Sequence, residues 1–175
     1  MIRQLTKKIT LALAIIVCAT GAMSQAPQTV LRTTDGRTVK LSESRGMVTV
    51  LLFGATWVPM TDRELPAFQK LADHYAVRDV AFYWVSINGA KKEEKHYASD
   101  SDLQAFADEL ELRLPVLRDP DRNSFRAFSL DALPAIVILD REGEVRCTVV
   151  SFGPNWTRTY GPVIRCLNQL LASGA

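Results

Sequence analysis

"MVTVLLFGATWVPMTDRELP", residues Met47 to Pro66, joins two kinds of local order across a short turn. Met47 to Phe53 is a continuous apolar and β-branched run, the pattern of a strand covered on both faces. Gly46 and Gly54 bound it, which favours a strand over a short buried helix. Beyond the turn, Thr61 with Glu64 three residues later matches a capping-box pattern, so the sequence predicts a helix from Thr61 to Tyr75. Phe68, Leu71, Ala72 and Tyr75 fall on one side of it, and Pro66 falls early enough for a kink. Between strand and helix stand Trp57, Val58, Pro59 and Met60, none of which carries a thiol.

Working outward, the same alternation continues. Val30 to Arg32 and Thr38 to Lys40 flank Thr33 to Gly36, a predicted hairpin with Asp35-Gly36 at its turn. Val80 to Ile87 reads as a second central strand. Strands alternating with helical patterns argue for α/β layering. Asn88 to Asp100 is irregular, and the balanced charges of Lys91 to Lys95 read as a solvated insertion. Ser101 to Leu110 is a predicted helix with Leu103, Phe106 and Leu110 on one face. Leu114 to Leu117 is a short extended piece, and Asn123 to Phe128 a short helix. Ala135 to Leu139 and Glu144 to Val150 form a hairpin around the turn Asp140 to Gly143. Gly161-Pro162 opens a predicted terminal helix with Val163, Cys166, Leu167 and Leu170 on one face.

Composition sets the class. The 175 residues are 47% hydrophobic and 23% charged, enough for one well-cored domain. Arg3, Lys7 and Lys8 precede an apolar run, Ile9 to Ala19, that is short for a bilayer span. Small residues at Ala22 and Ser24 complete a secretory signal pattern, with cleavage expected after Ser24. Val17 before Cys18 argues against a lipid-anchored cysteine. The expected organisation is a signal peptide over 1–24 and one domain over 25–175, meeting the membrane only transiently through the signal. Taking the three basic residues of the signal from 21 Lys and Arg leaves 18 against 19 acidic residues, a net charge of −1. Such a surface gives no electrostatic reason to expect nucleic acid.

Four motifs in order resemble one family. "VTVLLFGATW" is similar to the first central strand of the thioredoxin superfamily leading into its Trp. "VPMTDRELP" follows where the family has Cys-Pro-x-Cys and then Leu-Pro. "LPVLRDPD" resembles the segment before a short helix, and "FSLDALPAIVILDREGEV" the loop carrying a cis-proline, a strand, a turn and the final strand. The chain is identified as a member of this superfamily, nearest its exported TlpA/ResA-like branch and the redoxins related to AhpC/TSA, over roughly Val30 to Leu171. The resemblance implies a thioredoxin-like α/β fold: a central mixed sheet, helices on both faces and an N-terminal β-hairpin. It also implies a cis peptide at Leu133-Pro134, beside the turn.

The same alignment exposes departures. Val58 stands where the nucleophilic cysteine belongs and Thr61 where the resolving cysteine belongs. In active members the first thiolate attacks a disulfide and the second resolves the mixed disulfide. Valine performs neither step, and a threonine hydroxyl forms no disulfide. Leu52 occupies the place of the buried acid of thioredoxin itself. Thr56 matches a threonine of peroxiredoxins, yet Val58 again fills the cysteine position. Met60 offers a soft thioether without a fixed partner and reads as packing, so no metal and no cofactor are expected.

The expected function is therefore a redox-inactive module that binds an envelope protein or an extended peptide. Its groove would be formed by Trp57, Val58, Pro59 and Met60 on one side and Leu133, Pro134 and Ala135 on the other. The same residues would equally serve simply to fill a site without its chemistry. The alternative is a thiol-disulfide oxidoreductase or redoxin-type enzyme that uses Cys147 and Cys166. These two are predicted on the last strand and last helix, either bridged or as two buried thiols.

Overall fold

A computed structural model of the chain describes residues 29–150 and 156–173. The expected signal peptide, its cleavage after Ser24 and the domain start at 25 lie outside the described residues.

The elements follow the alternation of the sequence. In chain order they are β1 (Val30–Thr33), β2 (Thr38–Lys40), a short 3₁₀ turn (Leu41–Ser44), β3 (Val48–Gly54), α1 (Thr61–His74), β4 (Val80–Ser86) and α2 (Asp100–Glu109). Then come β5 (Val116–Arg118), α3 (Asn123–Ala127), β6 (Ala135–Leu139), β7 (Val145–Val150) and α4 (Trp156–Ala172). The strands form one mixed sheet in the order β2-β1-β5-β4-β3-β6-β7. β3 runs parallel to β4, and β4 to β5, because helices make those crossovers. β6 lies antiparallel to β3 and pairs with β7 as a hairpin. The predicted N-terminal hairpin is β1 against β2, with Gly36 at a positive φ of 88° in its turn.

Both faces of the sheet are covered, and β3 and β6 are accordingly buried throughout. On one face Val48, Val50, Leu52, Trp84, Ile136 and Ile138 pack against α1, α2 and α4. The opposite face carries Leu51, Phe53, Val85, Val137 and Leu139. It is closed by Leu41 of the 3₁₀ turn and by Phe128 and Leu130 after α3. Helical cover is therefore unequal: three long helices on one side, short pieces and loops on the other.

Two helix starts differ from the sequence reading. α1 begins at Thr61, its cap is Met60, and no side chain caps it. Thr61 and Glu64 are both buried, since they lie at the spacing of Leu65 and Phe68 on the inward stripe. The capping-box pattern is therefore met in sequence only. α4 begins at Trp156 rather than Gly161, so Pro162 lies inside it. Tyr160, buried in the core, anchors the turn ahead of the proline and outweighs the lost backbone bond. The capping box that does form is at α2, where the Ser99 side chain accepts from the Asp102 backbone and the Asp102 carboxylate accepts from the Ser99 backbone.

Candidate functional site

β3 delivers the chain into a tight turn at the end of the sheet. The Val58 backbone N–H donates to the Ala55 carbonyl at 3.0 Å, and Thr61 N–H to the Val58 carbonyl at 2.9 Å. Gly54 lets the turn pack closely on α1: a Cβ there would lie 3.3 Å from the Thr61 side chain and from Trp84 Nε1, a tight contact that would make them give way. Thr61 Oγ1 faces inward, 3.4 Å from the Ala55 N–H. This turn at the start of α1 is the place where a thiolate would gain from the helix dipole. No sulfur but that of Met60 occurs in it.

Val58 is 9% exposed and belongs to the apolar cluster of Phe53, Ala55, Phe128 and Leu130, against which Leu133 also packs. Leu133-Pro134 is cis, as the resemblance implied. Several of the residues expected to line a groove are thus brought together, but not all of them are accessible. Val58, Pro134 and Ala135 are buried, because the first fills the cluster and the last begins β6 in mid-sheet. Trp57, Pro59, Met60 and Leu133 remain accessible, Trp57 to 40%.

A polar clasp holds the turn from the other side. Asn88, buried just beyond β4, accepts from the Thr56 N–H at 3.1 Å and from the Ser86 hydroxyl at 3.0 Å through Oδ1. Its Nδ2 donates to the Thr56 hydroxyl at 2.8 Å and to the His96 carbonyl at 3.2 Å. His96, at a φ of 66°, stacks its imidazole on the Trp57 indole with centroids 4.2 Å apart. The segment read as a solvated insertion therefore has exposed charges at Lys91 to Lys95 but walls the site with its base. Arg118 secures that base: its guanidinium donates to the Gly89 carbonyl at 3.1 Å and to Asp100 at 2.8 Å. Asn88 and His96 carry no motif, and Arg118 lies within the LPVLRDPD segment without any role that the sequence assigns to it.

Beneath the turn, the Tyr160 hydroxyl donates to Glu64 Oε2 at 3.0 Å, tying α4 to α1. Burial pushes the Glu64 carboxyl above its usual range, against the lowering effect of that bond. The Tyr160 phenol is pushed far up by burial and by the neighbouring carboxylate.

Cys147 and Cys166 form a disulfide between β7 and α4, with Cα atoms 6.7 Å apart. Cys147 pairs across the sheet with Ile138, three residues along β6 from Ala135, away from the turn. Among the described residues no group of His, Cys, Asp and Glu is placed to hold a metal ion.

A strand-turn-helix site, a cis-proline loop beside it and this sheet order point to one lineage, and residues 22–148 match the AhpC/TSA family. The chain belongs to that family. It is similar to the thioredoxin-like protein YneN of Bacillus subtilis, 32% identical over 123 residues, covering 70% of this chain and 67% of YneN. It is also similar to the thiol-disulfide oxidoreductase ResA of Halalkalibacterium halodurans, 27% identical, over 71% of this chain and 65% of ResA. Thiol–disulfide oxidoreductases of thioredoxin-like fold are thus its relatives, and the matches span about two thirds of their length. The crystal structure of a conserved protein from Geobacillus kaustophilus superimposes with a TM-score of 0.72 at 25% identity, covering 86% of this chain and 82% of that one.

Proposed function

We propose that this member of a thiol–disulfide oxidoreductase family is redox-inactive at its turn and serves outside the cytoplasm as a protein- or peptide-binding module of the cell envelope. One observation carries the reading. Val58, which the alignment puts at the nucleophile position, is packed into an apolar cluster, so the turn lacks both the thiol and an open place for one. What remains accessible is an apolar rim of Trp57, Pro59, Met60 and Leu133 beside the cis-proline loop. Apolar rims of this kind suit an extended partner segment, with the Trp57–His96 stack as one wall.

Export rests on the basic and apolar character of residues 1–24 and on the Cys147–Cys166 bond, which persists best in an oxidising compartment. No helix among the described residues is long and apolar enough to cross a membrane. Use of Cys147 and Cys166 as a relocated catalytic pair is disfavoured, because they join a strand to the middle of a helix, away from any helix N-terminus that would activate a thiol.

A photo-crosslinking residue placed at Met60 should give discrete adducts with envelope proteins. The same residue at Val77, exposed beyond the C-terminal end of α1, should not. Identical adduct patterns from both positions would overturn the docking role.

A further inference from the structure

The two halves of the disulfide stand in different surroundings. Cys147 lies on β7, the last strand of the sheet order, and is partly exposed at that edge. Cys166 is 5% exposed and lies within the core cluster, on the α4 face that carries Val163 and Leu167, both fully buried. Thiol–disulfide exchange requires a thiolate to reach one sulfur in line with the bond while the other leaves. Access therefore selects the sulfur that is attacked, and Cys147 is the more accessible residue of the two.

We propose that Cys147 is a thiolation site for small thiols of the glutathione class. The incoming thiolate bonds to Cys147 Sγ, the Cys147–Cys166 bond breaks, and its electron pair leaves with Cys166 Sγ, which then takes a proton. A second small thiol attacking the mixed disulfide completes a two-electron reduction: two small thiols become one small disulfide, and the protein gains two thiols. The intermediate is long-lived for a physical reason. Reversal needs the Cys166 thiolate, and a charged sulfur among Val163, Leu167 and Ile138 is poorly solvated. Cys147 is only partly buried where it packs against the core cluster, and it lies on the edge strand β7, so the adduct has a way out toward solvent. This site is independent of the turn: it needs neither Val58 nor a docked partner.

The experiment treats the folded, oxidised protein with reduced glutathione, quenches it in acid, alkylates free thiols and maps the peptides by mass. The expected first product is one glutathione on Cys147 with Cys166 alkylated, in about tenfold or greater excess over the reverse isomer. Equal isomers, glutathione on Cys166, or reaction only at denaturant levels that unfold the chain would overturn the proposal. Should two free thiols appear with no trapped adduct, single-cysteine variants decide. Cys166→Ser should accept glutathione from its disulfide form while folded, and Cys147→Ser should not. Equal labelling of the two variants would contradict the assignment.

Discussion

The Tyr160 hydroxyl donates to the Glu64 carboxylate 3.0 Å away, and the packing of α4 on α1 leaves Glu64 only 7% exposed. Burial raises the Glu64 carboxyl above its unfolded value. A raised acid favours folding fully below the unfolded value, and that contribution is lost as pH rises through the folded one. Glu64→Gln should therefore raise the melting temperature at pH 7, with the gain shrinking toward pH 4. Thermal unfolding across that range tests it, and a gain that grows on acidification contradicts it. Tyr160→Phe leaves the carboxylate without this donor and should cost about 1.5–3 kcal/mol at pH 7.

Asp100 answers to the opposite sign. Burial raises its pKa, but hydrogen bonds from Arg32 and Arg118 outweigh that and hold it below the ordinary carboxylate range. Its contribution is present above the unfolded value and is lost as pH falls through the folded one. The Arg118 side chain is only 3% exposed, so Asp100→Asn leaves a buried cation poorly paired. With Asp100 itself 34% exposed, the cost should sit at the low end for a buried pair, about 3 kcal/mol at pH 7. Denaturant titrations at pH 7 and pH 3 should show a smaller loss at the lower pH.

The Cys147–Cys166 bond closes a loop with a sequence separation of 19. Replacing both residues by alanine should lower stability by about 3 kcal/mol in the chain-entropy account. Equilibrium unfolding of this variant beside the oxidised protein measures it. Equal midpoints would show that α4 is held without the staple.

Much of this was legible because local pattern and burial agree. The runs 48–53 and 135–139 read as buried strands, and they are. Asp35-Gly36 fixed the hairpin, and Cys147 and Val149 share the face that meets α4, whereas a register shift opposite Ile138 and Leu139 turns Val145, which strict alternation puts with them, to the other face. Where two local rules competed, the reading failed. Glu64 fits a capping box after Thr61, yet Thr61, Glu64, Leu65 and Phe68 share the spacing of a buried stripe, and tertiary packing won. Pro162 resembles a first helical residue, yet Tyr160 fixes the turn before it. Asn88 and His96 were illegible for another reason. Their partners, Thr56 and Trp57, are distant in sequence, and no spacing rule links them.

Restoring the missing residues asks whether the frame alone suffices. Val58→Cys with Thr61→Cys puts thiols at the start of α1, but the parent side chains there are 9% and 2% exposed. The double variant should show thiol exchange above that of the native chain, yet react slowly with a soluble aromatic disulfide while folded, because access limits attack. Rapid labelling in the native state would show that the Val58 packing opens freely.

The most direct measurement is dithiol-driven insulin reduction by the native chain, with the variant carrying Cys147→Ala and Cys166→Ala beside it. With Val58 and Thr61 at the turn, turnover by both should be indistinguishable from the dithiol alone. Catalysed reduction that persists in the variant without those two cysteines would contradict the redox-inactive reading.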